Sequence, residues 1–225
     1  MATDVPGRCM ASATLGGMAV LYQDDWLLAI DKPAGLLVHP SRLDAQEPDD
    51  VVTRLRALWP HAPPSPVHRL DKGTSGVLLL ARDTETARRM GQAFSAGAVD
   101  KRYLALVRGW PADEGRTDTP LARDPELPST GQPLLAASTR WRVLARFDWP
   151  VATHAAFTGT RCALLQVMPQ TGRRHQIRRH FKQLGHPLIG DATHGKGPLN
   201  RTLAVWLGLQ RLWLHAESAS FRHPV

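Results

Sequence analysis

Cysteine is almost absent. Cys9 and Cys162 are the two in 225 residues. They make neither a disulfide framework nor a spaced metal motif, and a reducing compartment suits them. Long apolar runs are missing too. None approaches the roughly 20 residues that cross a bilayer, so no membrane helix is expected. The first 18 residues hold one basic residue, Arg8, and little apolar character. No secretory signal is expected from such a start. Residues 1–18 read as a loose leader, and residues 19–225 as one folded domain. The expected location is the cytoplasm. Acidic residues run short: 20 Asp and Glu face 28 Lys and Arg, for a net charge of +8. Such a balance favours a polyanionic partner, most often nucleic acid. There is no internal repeat and no low-complexity tract.

One stretch organises the rest. It is His68-Arg69-Leu70-Asp71-Lys72-Gly73-Thr74-Ser75-Gly76, followed by Val77-Leu78-Leu79-Leu80. Pro60, Pro63, Pro64 and Pro66 lead into it and keep the approach extended. The unbroken apolar run that leaves it fits a strand covered on both faces. Asp71 is therefore expected in a loop that ends at a buried strand, with Arg69 and Lys72 as cationic neighbours. That is a carboxylate on a rigid support. The plain alternative is a glycine turn whose Asp caps a backbone N–H.

Elsewhere the chain reads as many short strands and few helices. Residues 20–22 and 26–30 flank a polar turn, and residues 36–40 form a further extended piece. Asp49 and Asp50 can cap a helix that carries Val51, Val52, Leu55 and Leu58 at helical spacing. A second helix begins at Thr84, with Ala87, Met90, Gly91 and Phe94 inward and Gly97 as its stop. Residues 101–110 alternate as a strand, with Lys101, Tyr103, Ala105 and Val107 on one face. Tyr103 is either a core tyrosine with its hydroxyl satisfied or a group presented to a ligand. Residues 111–138 form a long connection with one short strand near Leu121. Trp141, Val143, Ala145 and Phe147 alternate with Arg140, Arg142 and Arg146. The basic face of that strand serves solubility or RNA, with the two readings level. Residues 161–168 are the next strand and residues 208–216 the closing one. Hairpin turns without alternating strand and helix argue an α+β fold with a mainly antiparallel mixed sheet and a few flanking helices.

The second informative stretch is Pro169-Gln170-Thr171-Gly172-Arg173-Arg174-His175-Gln176-Ile177-Arg178-Arg179-His180-Phe181. Ile177, Phe181 and Leu184 recur at helical spacing and are expected in the core. Arg174, Arg178 and Lys182 form a row beside them. With the helix N-terminus they make a basic ridge suited to phosphate. Gly185 ends the helix. His175 and His180 are five apart, whereas metal pairs on helices sit three or four apart, so no metal site is expected.

The first stretch resembles, at every fixed position, the His-Arg-Leu-Asp-x-x-Thr-Ser-Gly signature of the RluA-type RNA pseudouridine synthases. The second is similar to that family's Thr-Gly-Arg-x-His-Gln-Ile/Leu-Arg-x-His motif. Asp31-Lys32-Pro33-Ala34-Gly35, the Lys101-x-Tyr103 spacing and His186-Pro187-Leu188-Ile189-Gly190-Asp191 match as well. His194-Gly195-Lys196-Gly197-Pro198-Leu199-Asn200-Arg201, with Arg174, Arg179 and His180, resembles the branch that acts on uridine 65 of tRNA. The resemblance runs from about Val20 to Val225. It implies the catalytic domain without the small RNA-binding module that precedes it in some members. It makes Asp71 the catalytic carboxylate and Arg178 the arginine that reaches it, and it lays Tyr103 against the uracil. Arg69 either fills the place that a flipped uridine vacates or closes a salt bridge inside its loop. Lys101, Arg173, Arg174, His175 and Arg179 join Arg69 as RNA-binding residues. Lys32 is a solvated turn residue or an RNA contact. Leu212 or Leu214 supplies an apolar floor under the base.

The implied reaction is an isomerisation. The bond between uracil nitrogen and sugar breaks, the base turns, and its carbon 5 bonds to the sugar and loses a proton. No electron is transferred, so no cofactor is expected. The anomeric carbon needs a carboxylate, as nucleophile or as stabiliser of positive charge. The implied partner is RNA, with tRNA first and ribosomal RNA as the alternative. The enzyme is expected to be a monomer away from any membrane. Two other classes stay open. One is an RNA-binding protein with a degenerate site, against which Asp71, Tyr103 and Arg178 argue. The other is a nucleotide-sugar hydrolase, which calls for a second carboxylate. Asp191 is the candidate for that acid.

Overall fold

The computed structural model describes residues 14–40, 49–153 and 157–225. The chain forms two compact units, one comprising the chain up to Val99 with Ser220–Val225, the other Asp100–Ala219. Of the expected leader, residues 1–13 lie outside the described residues, and the first strand already begins at Thr14.

The first unit is an antiparallel sheet with two helices. Its strands are β1 (Thr14–Leu15), β2 (Met18–Gln23) and β3 (Leu27–Lys32). After helix α1 (Val51–Leu58) come β4 (Ser65–Pro66), β5 (Ser75–Ala81) and helix α2 (Thr84–Ser95). The order is β1-β2-β3-β5, with β4 on β5. The polar turn between β2 and β3 is built by Asp24, whose carboxylate accepts the N–H groups of Trp26 at 2.8 Å and Leu27 at 2.6 Å. Leu27 to Ile30 in β3 and Leu78 to Ala81 in β5 are buried. The apolar run after the signature is thus the covered strand its composition predicts. Asp50 caps α1 through Thr53 N–H at 3.0 Å, and Asp83 caps α2 through Thr86 N–H at 2.8 Å. Residues 36–40 pair through an isolated bridge, Leu37 to Asp50, with the N–H groups of Val51 and Val52 donating to the Leu37 and Val38 carbonyls at 2.9 and 3.2 Å. α1 runs over Val51–Leu58 as the spacing predicts, with Leu58 exposed at its end.

The second unit has a sheet covered on both faces. Its elements are β6 (Asp100–Arg108), β7 (Glu114–Thr117), β8 (Leu121–Ala122), β9 (Leu134–Leu135), β10 (Thr139–Trp149) and β11 (Thr160–Pro169). Helices α3 (Gln176–Gln183) and α4 (Gly197–Leu207) and strand β12 (Leu214–Ser220) follow. The order is β12-β6-β11-β10-β7, with β8 and β9 as a separate small hairpin. One face packs Ala105, Val107, Trp141, Leu165 and Val167 against Ile177 and Phe181 of α3. The other packs Leu106 and Cys162 against Leu199 and Leu203 of α4. Burial pushes the Cys162 thiol up to about 12.

β10 departs from the simple alternation. Its pairing with β11 slips between Val143 and Ala145. The bulge adds one residue and inverts the later side chains. Trp141 and Val143 therefore pack on the α3 face, whereas Phe147 and Trp149 pack on the α4 face. The single apolar face read over Trp141–Phe147 is thus two half-faces. Gly115 in β7 lies flat against Trp141; an added Cβ would meet its ring at 2.3 Å. The closing strand is also shorter at its start. Gly208 takes φ +65° as the left-handed stop of α4, and β12 begins only at Leu214. Among the described residues no helix is long and apolar enough to cross a membrane.

Candidate active site

In the first unit Asp71 stands on a tight turn that leads into β5. The turn closes where Thr74 N–H donates to the Asp71 carbonyl at 3.0 Å. Its neighbour Leu70 is buried and anchors the segment. His68 is structural: its Nε2 accepts the N–H of Leu79 at 3.0 Å, and its ring stacks on Phe94 of α2 at 4.7 Å. Arg69 is exposed.

Lys32 corrects the sequence reading. It is neither solvated nor available to RNA, being fully buried at the end of β3. Its ammonium donates to the carbonyls of Pro33 at 2.8 Å, Leu36 at 2.7 Å and Lys72 at 3.3 Å. The Lys72 carbonyl also accepts Gly35 N–H at 2.8 Å. Lys32 thus ties the 33–36 loop to the residue beside Asp71. Lys32→Met is expected to strand those carbonyls and cost about 3 kcal/mol. In a chain of this size that lowers the melting temperature by about 6–12 °C. A wild-type melting curve would refute the tie.

In the second unit β6 presents Lys101 and Tyr103 on the α3 face. Tyr103 packs against the cluster that contains Leu212 and Leu214, the two residues proposed as an apolar floor. Lys101 Nζ donates to the Thr171 carbonyl at 3.3 Å, and burial pulls its pKa down.

The second motif folds differently from the helical wheel. α3 starts only at Gln176, because His175 adopts the left-handed region at φ +53°. Gln176 knits the entry turn. Its Oε1 accepts Thr171 Oγ1–H at 2.6 Å and Arg173 N–H at 3.0 Å, and its Nε2 donates to Ser138 O at 2.9 Å and Thr139 Oγ1 at 3.0 Å. His180 is fully buried, with Nδ1 2.9 Å from Thr139 Oγ1 and Nε2 2.9 Å from the Thr119 carbonyl. A carbonyl only accepts, so Nε2 carries the proton. Burial lowers its pKa and keeps it neutral. Leu184 is exposed, contrary to expectation, as α3 has ended.

The basic ridge also dissolves. Arg174 lies before the helix and pairs with Asp124 at 3.5 Å and with Glu126. Arg173 Nε donates to Ala136 O at 2.9 Å, and Arg179 Nη1 to Ala122 O at 2.8 Å. These three expected RNA-binding arginines each hold the segment that contains the β8–β9 hairpin. His175 Nδ1 faces His194 Nε2 at 3.0 Å. Burial, above all, pushes His194 down to about 4.

Arg178 is buried and meets Asp191 in a bidentate pair, Nε to Oδ2 at 2.8 Å and Nη2 to Oδ1 at 2.9 Å. Asp191 Oδ1 also accepts the N–H groups of Thr193 at 3.0 Å and His194 at 2.8 Å. Asn200 closes the loop: its Nδ2 donates to Asp191 O at 2.9 Å, and its Oδ1 accepts Gly190 N–H at 3.0 Å. Burial alone would raise the Asp191 carboxyl, but the bonds and charge of Arg178 outweigh it and hold it below the usual carboxylate range. The acid proposed for hydrolysis is thus engaged in fixing Arg178. Neither Asp191 nor Asn200 carries a local sequence signal for that task. The pairing spans thirteen residues and an intervening loop.

Comparisons with known proteins agree with these motifs. A family described as RNA pseudouridylate synthase matches residues 26–183. A Vibrio cholerae protein named tRNA pseudouridine synthase C is 39% identical over 213 residues, covering 92% of this chain and 86% of its own. A Haemophilus ducreyi protein of the same name is 44% identical over 210 residues, covering 91% and 85%. The solved structure of human RNA pseudouridylate synthase domain containing 1 superposes with a TM-score of 0.69 at 25% identity, covering 92% of this chain and 79% of that one.

Proposed function

The chain belongs to the RNA pseudouridylate synthase family, and on that premise we propose that it isomerises uridine to pseudouridine in tRNA, with position 65 as its target. The observation that carries the tRNA reading is the near-full-length similarity to relatives named for tRNA. Residues 19–225 are read as one catalytic domain, since the family match draws on both compact units. The enzyme works as a monomer in the cytoplasm.

Asp71 is the proposed carboxylate at the anomeric carbon. It attacks that carbon or balances the positive charge there as the bond to nitrogen breaks. Tyr103 lies against the uracil while the base turns, and Arg178 is the cation that serves the reacting carboxylate. Arg69 takes the place of the flipped nucleotide. Lys101, Arg173, Arg174, His175 and Arg179 complete the RNA-binding set. The three arginines that hold the hairpin segment meet RNA together with that segment.

The test is tritium release from RNA labelled at uracil carbon 5. Release from tRNA and none from ribosomal RNA fragments is the expected outcome. Release from ribosomal RNA alone would overturn the substrate. Silence on both, with folded protein, would favour the binding-protein reading, and free uracil would favour hydrolysis.

A further inference from the structure

The far end of β6 carries a feature that the proposed reaction leaves unused. A groove of about 580 Å³ opens there, lined by Arg108, Asp148, Phe157, Arg161, Lys196 and Pro198 among others. Five residues of strand separate Arg108 from Tyr103, roughly 17 Å at about 3.3 Å per residue. The groove is therefore well away from the Tyr103 end of β6.

Three cations, Arg108, Arg161 and Lys196, line it against one carboxylate, Asp148. The Arg161 guanidinium carbon lies 4.4 Å from the centroid of the Trp110 ring. Trp110 is itself held, its indole N–H donating to Phe147 O at 3.2 Å. The guanidinium plane is thus oriented before any ligand arrives. Its pairing with Asp148 spans 3.9 Å between side chains 64% and 58% exposed. Such a pair contributes little and yields readily to a phosphate. Phe157 is 62% exposed. An aromatic face, a planar guanidinium and a mobile ammonium are the parts with which proteins hold unstacked nucleotides: the ring takes a base, and the cations take the backbone.

We propose that this groove is a second RNA contact, which holds an unstacked nucleotide of the substrate with its base on Phe157 and its phosphate on Arg161 and Lys196. The proposal rests on the reading of the chain as an RNA-modifying enzyme and extends it. Binding at a distance from the reacting uridine selects RNA by its shape as well as by its bases.

The test compares the full chain with a Phe157→Ala, Arg161→Ser, Lys196→Ser triple variant. All three side chains are exposed, so the melting temperature is expected to hold. Fluorescence anisotropy with labelled tRNA is expected to show Kd raised about 10- to 100-fold and a salt slope shallower by about 1–2. Equal Kd and equal slope overturn the proposal. The single variants Arg161→Ser and Lys196→Ser shift the same readouts in the same direction, so a misfolded triple variant still leaves a decision. Tritium release from a short stem-loop with the target uridine is measured in parallel. The triple variant is expected to keep the wild-type kcat there. If even the wild type releases nothing from any RNA, the catalytic reading fails, while the anisotropy comparison still decides the groove.

Discussion

Asp71→Asn is expected to lose turnover by about 10²- to 10³-fold, a typical scale for losing a main electrostatic contributor, while the Kd for tRNA stays within about twofold of the wild type. The turn makes this a clean exchange. It is closed by backbone atoms, from Thr74 N–H to Asp71 O at 3.0 Å. It is anchored next door through the Lys72 carbonyl, which accepts from Lys32 Nζ and Gly35 N–H. Asn fits the same volume, so the backbone has no reason to move. What disappears is the charge, and charge is what a carbon losing its bond to nitrogen demands, whether the carboxylate attacks or stabilises. Affinity for tRNA comes chiefly from phosphate contacts spread over many cations. Tritium release, anisotropy and a melting curve on the same preparation separate these effects. Turnover within tenfold of the wild type removes Asp71 from the reaction. A lowered melting temperature assigns the loss to folding.

Much of this architecture was legible in the sequence because its signals are local. Proline in the approach, the glycine turn and the apolar run place Asp71 before a buried strand, and β5 is that strand. Asp50 and Ile177 likewise act as the chain pattern says, one as a cap and one in the core. What escaped depends on partners far along the chain. Lys32 next to a proline looks like a surface turn, and only the fold brings the Leu36 and Lys72 carbonyls to its ammonium. Arg174 looks helical by spacing, yet His175 in the left-handed region delays the helix by a residue beyond it. α4 goes unpredicted, because it opens on Gly197 and Pro198, two residues that more often punctuate a helix than start one. Proline in fact suits the first turn of a helix, and Leu199 and Leu203 then face the core. The β10 bulge is invisible to a period-2 reading, which assumes no residue is added.

Asp191→Asn is expected to be the most damaging change outside the reacting groups themselves. The side chain of Asp191 is fully buried and that of Arg178 only 9% exposed. Removing the negative partner leaves a buried guanidinium uncompensated, which costs about 3–5 kcal/mol. At about 2–4 °C per kcal/mol, the melting temperature falls by roughly 6–20 °C. Stability also acquires a different pH dependence. The Asp191 carboxyl is held below its ordinary value in the folded chain. Its contribution is therefore complete above the unfolded value of about 4 and is lost as pH falls through the lower folded value. The wild type should lose stability on acidification below about pH 4 more steeply than the variant, and equal slopes would remove Asp191 from that account. The kinetic effect is separable from the loss of stability. Well below the variant's melting temperature the chain is folded, yet Arg178 has lost the bidentate clamp that fixes its plane. A misplacement of about 1 Å costs on the order of 10²-fold in rate, so kcat is expected to fall by that order while the KM for tRNA changes little. Asp191→Glu, which keeps the charge on a longer stem, should recover part of the stability and less of the rate. Wild-type kcat in a folded Asp191→Asn enzyme would mean that Arg178 needs no positioning by Asp191, and the pair would then belong to the stability of α3 alone.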